Sequence, residues 1–417
     1  MNNKYIGYRC SICGREIEPA QIQYVCPIDG GNLDVILNFK NIRQKYDIED
    51  ITFRTDFSLW RYLPLLPVTN PGGTANPMRT AGWTPLYQPG SIIKELELRD
   101  FWIKDEGRNP TASFKDRASA VVMARALEIN AKVVVTASTG NAGAALAGMA
   151  AAIGHQSVIF APKNAPAAKV AQLLVFGARV ILVDGSYDDA FDLTVQASRE
   201  FGWYCRNTGY NPFTVEGKKT AAFEIWETVL LNLNVSQQPL NIFVSVGDGN
   251  IISGLHKGFK DLQTLGWLEK MPRIFGVQSK GSSAIANAFF AGKEEIIAVK
   301  ANTIADSIAV DLPRDGVRGV RAARETGGTY IVVEDEQILQ AIADLGKVGI
   351  FAEPAGAASY AGFKKALQTD IIDCNDPVLV INTGSGLKDI RAAVQAVGEA
   401  PIIEPTIEAL KDFLKNI

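Results

Sequence analysis

The segment Asn109-Pro110-Thr111-Ala112-Ser113-Phe114-Lys115-Asp116-Arg117 puts an amine where amines are uncommon. Asn109 and Pro110 end an extended stretch and Ser113 can cap. Lys115 then falls in the first turn of a helix continuing through Ala118, Val121, Val122 and Ala126. The positive end of the helix dipole disfavours a second positive charge, so the amine gives up its proton more readily. That suits a nucleophile that attacks an aldehyde. Asp116 and Arg117 read as braces for this helix. Three further segments can receive an anion. Ser138-Thr139-Gly140-Asn141-Ala142-Gly143 runs into a helix over 144–152, and Gly247-Asp248-Gly249-Asn250 opens a helix over 251–260. Asn382-Thr383-Gly384-Ser385-Gly386 again sets a hydroxyl and glycines at a strand end. A left-handed turn explains any one of them, but three in register point to a ligand. None is a GxGxxG or a GxxxxGK[ST], so neither a nicotinamide nor a nucleoside triphosphate is indicated. With His155 and His256 the only histidines, the count argues against a catalytic histidine triad or a multi-histidine metal centre. Glu353 either lines the site or caps the helix that follows it.

These loops need a frame, and the sequence supplies one. Short β-branched runs at 132–136, 157–160, 179–183, 241–246, 273–277, 329–333 and 377–381 alternate with amphipathic helical stretches, the signature of an α/β fold with doubly wound parallel sheets. Ligands then collect at the carboxyl ends of the strands, where the three loops lie. At 417 residues the chain exceeds one core. The expected division is a cysteine-bearing extension (1–38), the first part of a large domain carrying Lys115 (39–124), a small α/β domain (125–205) and the rest of the large domain (206–417). A net charge of −3, with 47% hydrophobic and 21% charged residues, argues against a nucleic-acid or anionic-membrane surface and for a small-molecule substrate. The start, MNNKYIGYRC, lacks the apolar core of a signal peptide, and a cytoplasmic location is expected.

Cys205 and Cys374 read as buried, inert thiols. Cys10 and Cys13 form a CxxC, and Cys26 follows with Asp29 where a zinc ribbon would carry a fourth cysteine. Two readings stay open: a zinc site of Cys10, Cys13, Cys26 and Asp29, or a degenerate ribbon that survives as a packed hairpin.

The segments NPTASFKDR, ASTGNAG and TGSGLKD, together with NPFTVEGKKTAAFEIWE (211–227) and ADSIAV (305–310), resemble the fold type II pyridoxal-phosphate enzymes, and most closely the threonine synthase family. The resemblance spans nearly the whole chain. It implies a tryptophan synthase β-like fold of two doubly wound parallel-sheet domains with a small zinc-ribbon-like N-terminal extension. It implies that Lys115 carries pyridoxal 5'-phosphate as a Schiff base and that Asn141 bonds the cofactor's 3'-oxygen. Gly247, Asp248, Gly249 and Asn250 would hold the phosphate. Thr383 would face the pyridine nitrogen, where a neutral hydroxyl leaves that nitrogen unprotonated. Ser138, Thr139 and Gly140 would grip the substrate carboxylate. The implied activity is conversion of O-phospho-L-homoserine and water to L-threonine and phosphate, a carbon-oxygen lyase reaction, by a homodimer.

Two positions depart from the family pattern. Thr214 stands where the family's NPxRxEG segment has an arginine for the substrate phosphate, and a hydroxyl does not replace a bidentate guanidinium. Lys218, Lys219, Asn207 and Thr208 are the candidate substitutes. The phosphate loop reads GDGN, with the Asp248 carboxylate beside an expected dianion. These departures keep open β-replacement on O-phosphoserine and threonine or serine dehydration, both on the same lysine. A non-enzymatic nucleic-acid-binding ribbon lacks the basic patch it would need near Cys10–Cys26.

Overall fold

The computed structural model describes residues 4–19, 23–73, 75–232 and 238–415. Its strands, in chain order, begin with β1 (Tyr5–Cys10), β2 (Glu16–Ile17), β3 (Leu33–Leu37), β4 (Leu86–Tyr87) and β5 (Phe101–Asp105). Next come β6 (Val133–Ala137), β7 (Gln156–Pro162), β8 (Arg179–Val183) and β9 (Tyr204–Cys205). The last four are β10 (Asn241–Ser245), β11 (Arg273–Ser279), β12 (Tyr330–Val333) and β13 (Val378–Asn382). They form three sheets. The first is the antiparallel β2-β1-β3. The largest has the order β12-β11-β10-β13-β5-β4 and is parallel except for β4 at its edge. The third, β8-β7-β6-β9, is parallel throughout.

All seven strands read from the sequence are present. β5 and β9 were not legible: Phe-Trp-Ile-Lys-Asp and Tyr-Cys are too short or too mixed to declare a strand without neighbours.

Both parallel sheets are covered on both faces, because successive side chains of a strand point to opposite sides. In β10, Ile242 and Val244 enter one core with Leu255, Phe259 and Ile381. Phe243 enters the other with Phe275, Val277 and Phe363, and its ring stacks on Phe275 at 4.6 Å. The small sheet repeats the pattern, with Val135 and Phe160 on one side and Ile159 on the other. Cys205 is buried, as expected, but Cys374 is only partly so, because it sits in the turn before β13 rather than in a core.

One close approach and one ion network fix the helix that begins with Lys115 (Lys115–Glu128). It crosses the helix Phe213–Lys218 at Gly217, where a Cβ would lie 2.1 Å from the Arg117 carbonyl oxygen. Beneath it lies a fully buried ion network. Arg117 donates to Glu106 through Nε and Nη2 at 2.7 Å each and to Glu224 Oε2 at 2.7 Å. Lys104 Nζ meets Glu224 Oε2 at 2.7 Å, so two cations balance two carboxylates. Asp116 accepts from the Thr111 amide at 2.6 Å. Arg117 and Asp116 therefore brace the helix and do not face the cavity described next.

Candidate active site

A cavity of about 410 Å³ opens at the carboxyl ends of the strands of both parallel sheets. Lys115, Ser138, Thr139, Gly140, Asn141, Thr208, Lys218, Gly247, Asp248, Gly249, Asn250 and Thr383 all line it. The position of each follows from local structure. β6 ends at Ala137 and delivers 138–140 to the rim, and Asn141 begins the next helix. β10 ends at Ser245, and the following loop turns at Gly249, whose φ of 89° is left-handed backbone that a side chain would strain.

Lys115 is placed by a stitch between two segments far apart in sequence, 112–114 and 383–385. Phe114 N donates to Thr383 O at 2.9 Å and Ser385 N to Ala112 O at 3.1 Å, so the lysine loop and the β13 loop form one rim. Lys115 Nζ has no hydrogen-bond partner among the described residues. Burial lowers its pKa below 10.5, partly offset by Glu353 and reinforced by Arg206. Lys218 is fully buried; its Nζ donates to Asn250 Oδ1 at 2.6 Å, and its pKa falls well below 10.5 through burial and the charges of Lys115 and Arg206. The site therefore gathers basic side chains whose protonation burial opposes, and an anionic ligand would favour their charged forms.

The Asp248 carboxylate, awkward beside a dianion when read in sequence, is turned aside. Its Oδ1 accepts from the Arg314 amide at 3.0 Å, and burial raises its pKa. Thr214 is fully buried outside the cavity, its Oγ1 donating to Asn211 O at 2.7 Å. Two expected substitutes also lie outside. Asn207 ties down the end of β6, accepting from the Ala137 amide at 2.8 Å and the Thr136 hydroxyl at 3.1 Å. Lys219 is spent on Asp261 at 2.7 Å and on Glu216, on the far face of its helix. Consecutive lysines cannot share a helix face, which the sequence alone did not assign to one or the other.

Glu353 occupies the N-cap position of the helix that follows without a side-chain cap bond, and it stands outside the cavity lining, where its Oε1 accepts from the lining residue Asn141 through Nδ2 at 2.7 Å. Arg206 was missed. Fully buried behind Thr208, it donates to Thr208 Oγ1 at 2.6 Å and to Ser119 Oγ at 3.2 Å through Nε, and its Nη2 has no partner. Burial lowers its pKa to about 10. The only signal in sequence was its adjacency to Asn207 and Thr208.

Residues 78–384 match the pyridoxal-phosphate dependent enzyme family. The threonine synthase of Methanocaldococcus jannaschii is 39% identical over 412 residues, 98% of this chain and 99% of that one. The chain belongs to the threonine synthase family of pyridoxal-phosphate-dependent enzymes. The threonine synthase of Methanosarcina acetivorans is 35% identical over 97% of this chain and 98% of its own. Among solved structures, a diaminopropionate ammonia lyase of Escherichia coli superposes with a TM-score of 0.65 at 19% identity, covering 84% of this chain and 95% of that one. A threonine deaminase of Solanum lycopersicum gives 0.64 at 22%, covering 76% and 88%. Those two likenesses show the fold.

The family's cofactor is pyridoxal phosphate, and the residues present fit it. Its aldehyde needs an unprotonated amine, and burial shifts Lys115 towards that form with no competing partner among the described residues. Its phosphate needs converging donors. The helix Asn250–Leu265 starts at the cavity with no side-chain cap, so its first amides and dipole remain available.

Proposed function

We propose that this chain converts O-phospho-L-homoserine and water to L-threonine and inorganic phosphate. The observation that carries this reading is the fully buried Lys218 amine, lining the same cavity as Lys115. A phosphorylated amino acid brings a dianion that would hold this amine protonated, and Thr208, backed by Arg206, adds a hydroxyl beside it. Lys218 and Thr208 thus replace the arginine that Thr214 does not supply.

Bound through Lys115 and the Gly247–Asn250 loop, the cofactor supplies an electron sink for negative charge at the substrate's Cα. The chain's own residues do the rest. Ser138, Thr139 and the amides around Gly140 hold the substrate carboxylate at the mouth of the small sheet. Asn141, fixed by Glu353, would bond the cofactor's 3'-oxygen, and Thr383 would offer a neutral hydroxyl to its ring nitrogen. Lys115 Nζ takes the proton from Cα and then from Cβ, and returns protons as phosphate leaves Cγ. Water supplies the hydroxyl at Cβ, and a proton is gained at Cγ. Lys218 and Thr208 hold the departing phosphate.

The same reading takes the protein to act as a homodimer in the cytoplasm, on residues 1–38 as an extension, 39–124 with 206–417 as the large domain and 125–205 as the small one. Exposed Phe53 and Phe57 offer apolar surface to a second copy, and five free thiols suit a reducing compartment. No helix among the described residues is long and apolar enough to cross a membrane. Sedimentation at several concentrations tests the dimer.

The activity test follows phosphate release and L-threonine formation from O-phospho-L-homoserine, with the visible spectrum recorded in parallel. Equal amounts of both products support the reading. A visible cofactor band with an inert substrate overturns it and makes O-phosphoserine with sulfide or sulfite the next trial.

A further inference from the structure

The N-terminal sheet carries a second centre that the reaction does not use. Cys10, Cys13, Cys26 and Asp29 bring one ligand atom each to within 4.8 Å of one another, the group of this kind found among the described residues. Cys13 Sγ and Cys26 Sγ are 3.8 Å apart, and Cys10 Sγ lies 3.3 Å from Asp29 Oδ1. A tetrahedron built on metal–sulfur bonds of about 2.3 Å has edges of about 3.8 Å. The observed spacing is that of ligands around an ion, not of a disulfide.

The backbone shows why Asp29 belongs to the set. Cys10-Ser11-Ile12-Cys13-Gly14 and Cys26-Pro27-Ile28-Asp29-Gly30 are two copies of one turn. Gly14 N donates to Cys10 O at 3.1 Å and Gly30 N to Cys26 O at 3.0 Å, and both glycines have φ of 70°. Asp29 therefore occupies the place in the second turn that Cys13 holds in the first. Two further bonds prepare the ligands. Ile12 N donates to Cys10 Sγ at 3.3 Å, as suits a thiolate, and Gly31 N donates to Asp29 Oδ1 at 2.9 Å, orienting the carboxylate. A Cβ on Gly31 would come within 2.8 Å of Cys10 Sγ and crowd the centre.

We propose that Cys10, Cys13, Cys26 and Asp29 bind one zinc ion in a closed, four-coordinate structural site. Three thiolates select a borderline-soft ion, and four protein ligands leave no open position for catalysis. β2 has only two residues, so the ion would pin the turns at this end of a sheet whose other side chains, Tyr8, Leu33 and Val35 among them, pack into the main core. The site communicates with the cavity through contacts already formed. Arg321 donates to Ser11 O, between the two cysteines of the first turn. On the same helix Arg318 binds Asp34 Oδ1 at 2.7 Å and Asp315 Oδ1 at 2.6 Å, and Asp315 Oδ2 accepts from Asn250 at 2.7 Å. The ion would thus fix the register of the helix that holds Asn250.

The test uses the full-length protein purified under reducing conditions. Elemental analysis after gel filtration should find one zinc per chain. After chelation, Co²⁺ should restore binding with thiolate-to-cobalt absorption and the intense visible bands of tetrahedral coordination. Cys13→Ser, at an exposed ligand, should lose the ion, and Asp29→Cys should hold it more tightly. If Cys13→Ser does not fold, titration of the wild-type protein with a mercurial should release zinc in step with three protected thiols while Cys205 and Cys374 react separately. Substoichiometric zinc that washes away, a weak octahedral cobalt spectrum, or a Cys13–Cys26 disulfide in mapped peptides would each overturn the proposal.

Discussion

Lys218 Nζ donates to Asn250 Oδ1 at 2.6 Å, and Asn250 in turn donates to Asp315 Oδ2 at 2.7 Å, so the buried amine is held in place through a neutral amide. Burial opposes its charge, and an anionic ligand at the cavity wall would restore it. Lys218→Met should raise KM for O-phospho-L-homoserine about 10- to 100-fold, the loss of one charge-assisted hydrogen bond, while the visible cofactor spectrum persists. If the spectrum disappears and KM in residual turnover is unchanged, Lys218 serves the cofactor and not the substrate.

Lys115→Ala should abolish both the visible band and turnover. A finer consequence follows from its pKa. Burial lowers the folded value below 10.5, so the neutral amine predominates at lower pH than in a free lysine. The rate at which cofactor-free protein regains visible absorption on mixing with pyridoxal phosphate should rise with pH and level off below 10.5. Stopped-flow mixing across a pH series measures the midpoint, and a midpoint at or above that of free lysine contradicts the burial argument.

Gly217→Ala would push a methyl into the Arg117 carbonyl, 2.1 Å from the ideal Cβ position, at the crossing that seats the Lys115 helix. Overpacking of this kind costs about 1–3 kcal/mol, read as a lower denaturant midpoint, with weakened cofactor retention besides. Gly90→Ala, whose Cβ meets nothing within 4 Å, is the control and should leave both unchanged.

His256 sets an acid limit on stability. Burial first, then Lys260, lowers its pKa from 6.5 to about 4, against the opposing pull of Glu325 and Asp34. Between those values the unfolded chain binds the proton and the folded chain does not, so stability falls as pH drops from 6.5 towards 4. The loss is of the order of 2–3 kcal/mol. His256→Gln should flatten that part of the curve of unfolding free energy against pH. An unchanged slope would assign the acid loss to carboxylates instead.

The sequence by itself determined much of this protein. The runs of β-branched residues named seven strands because a strand buried on both faces must be apolar at nearly every position, although the edge strand β8 keeps its apolar run largely exposed. The glycine-bearing loops after β6, β10 and β13 named the rim, since ligands gather where parallel strands end. Lys115 stood out because an amine at a helix start is electrostatically unusual. What sequence could not decide was direction. Lys218 and Lys219 are neighbours in the chain, yet one faces the cavity and the other Asp261; Thr214 turns to Asn211, and Asp248 to the Arg314 amide. Arg206 carried no motif at all, and only the packing of Thr208 and Ser119 around it shows where its guanidinium points. Spacing along a chain fixes which residue types can meet. The face each side chain presents is set by neighbours hundreds of residues away, as when the Thr383 carbonyl receives the Phe114 amide and brings Lys115 to the site.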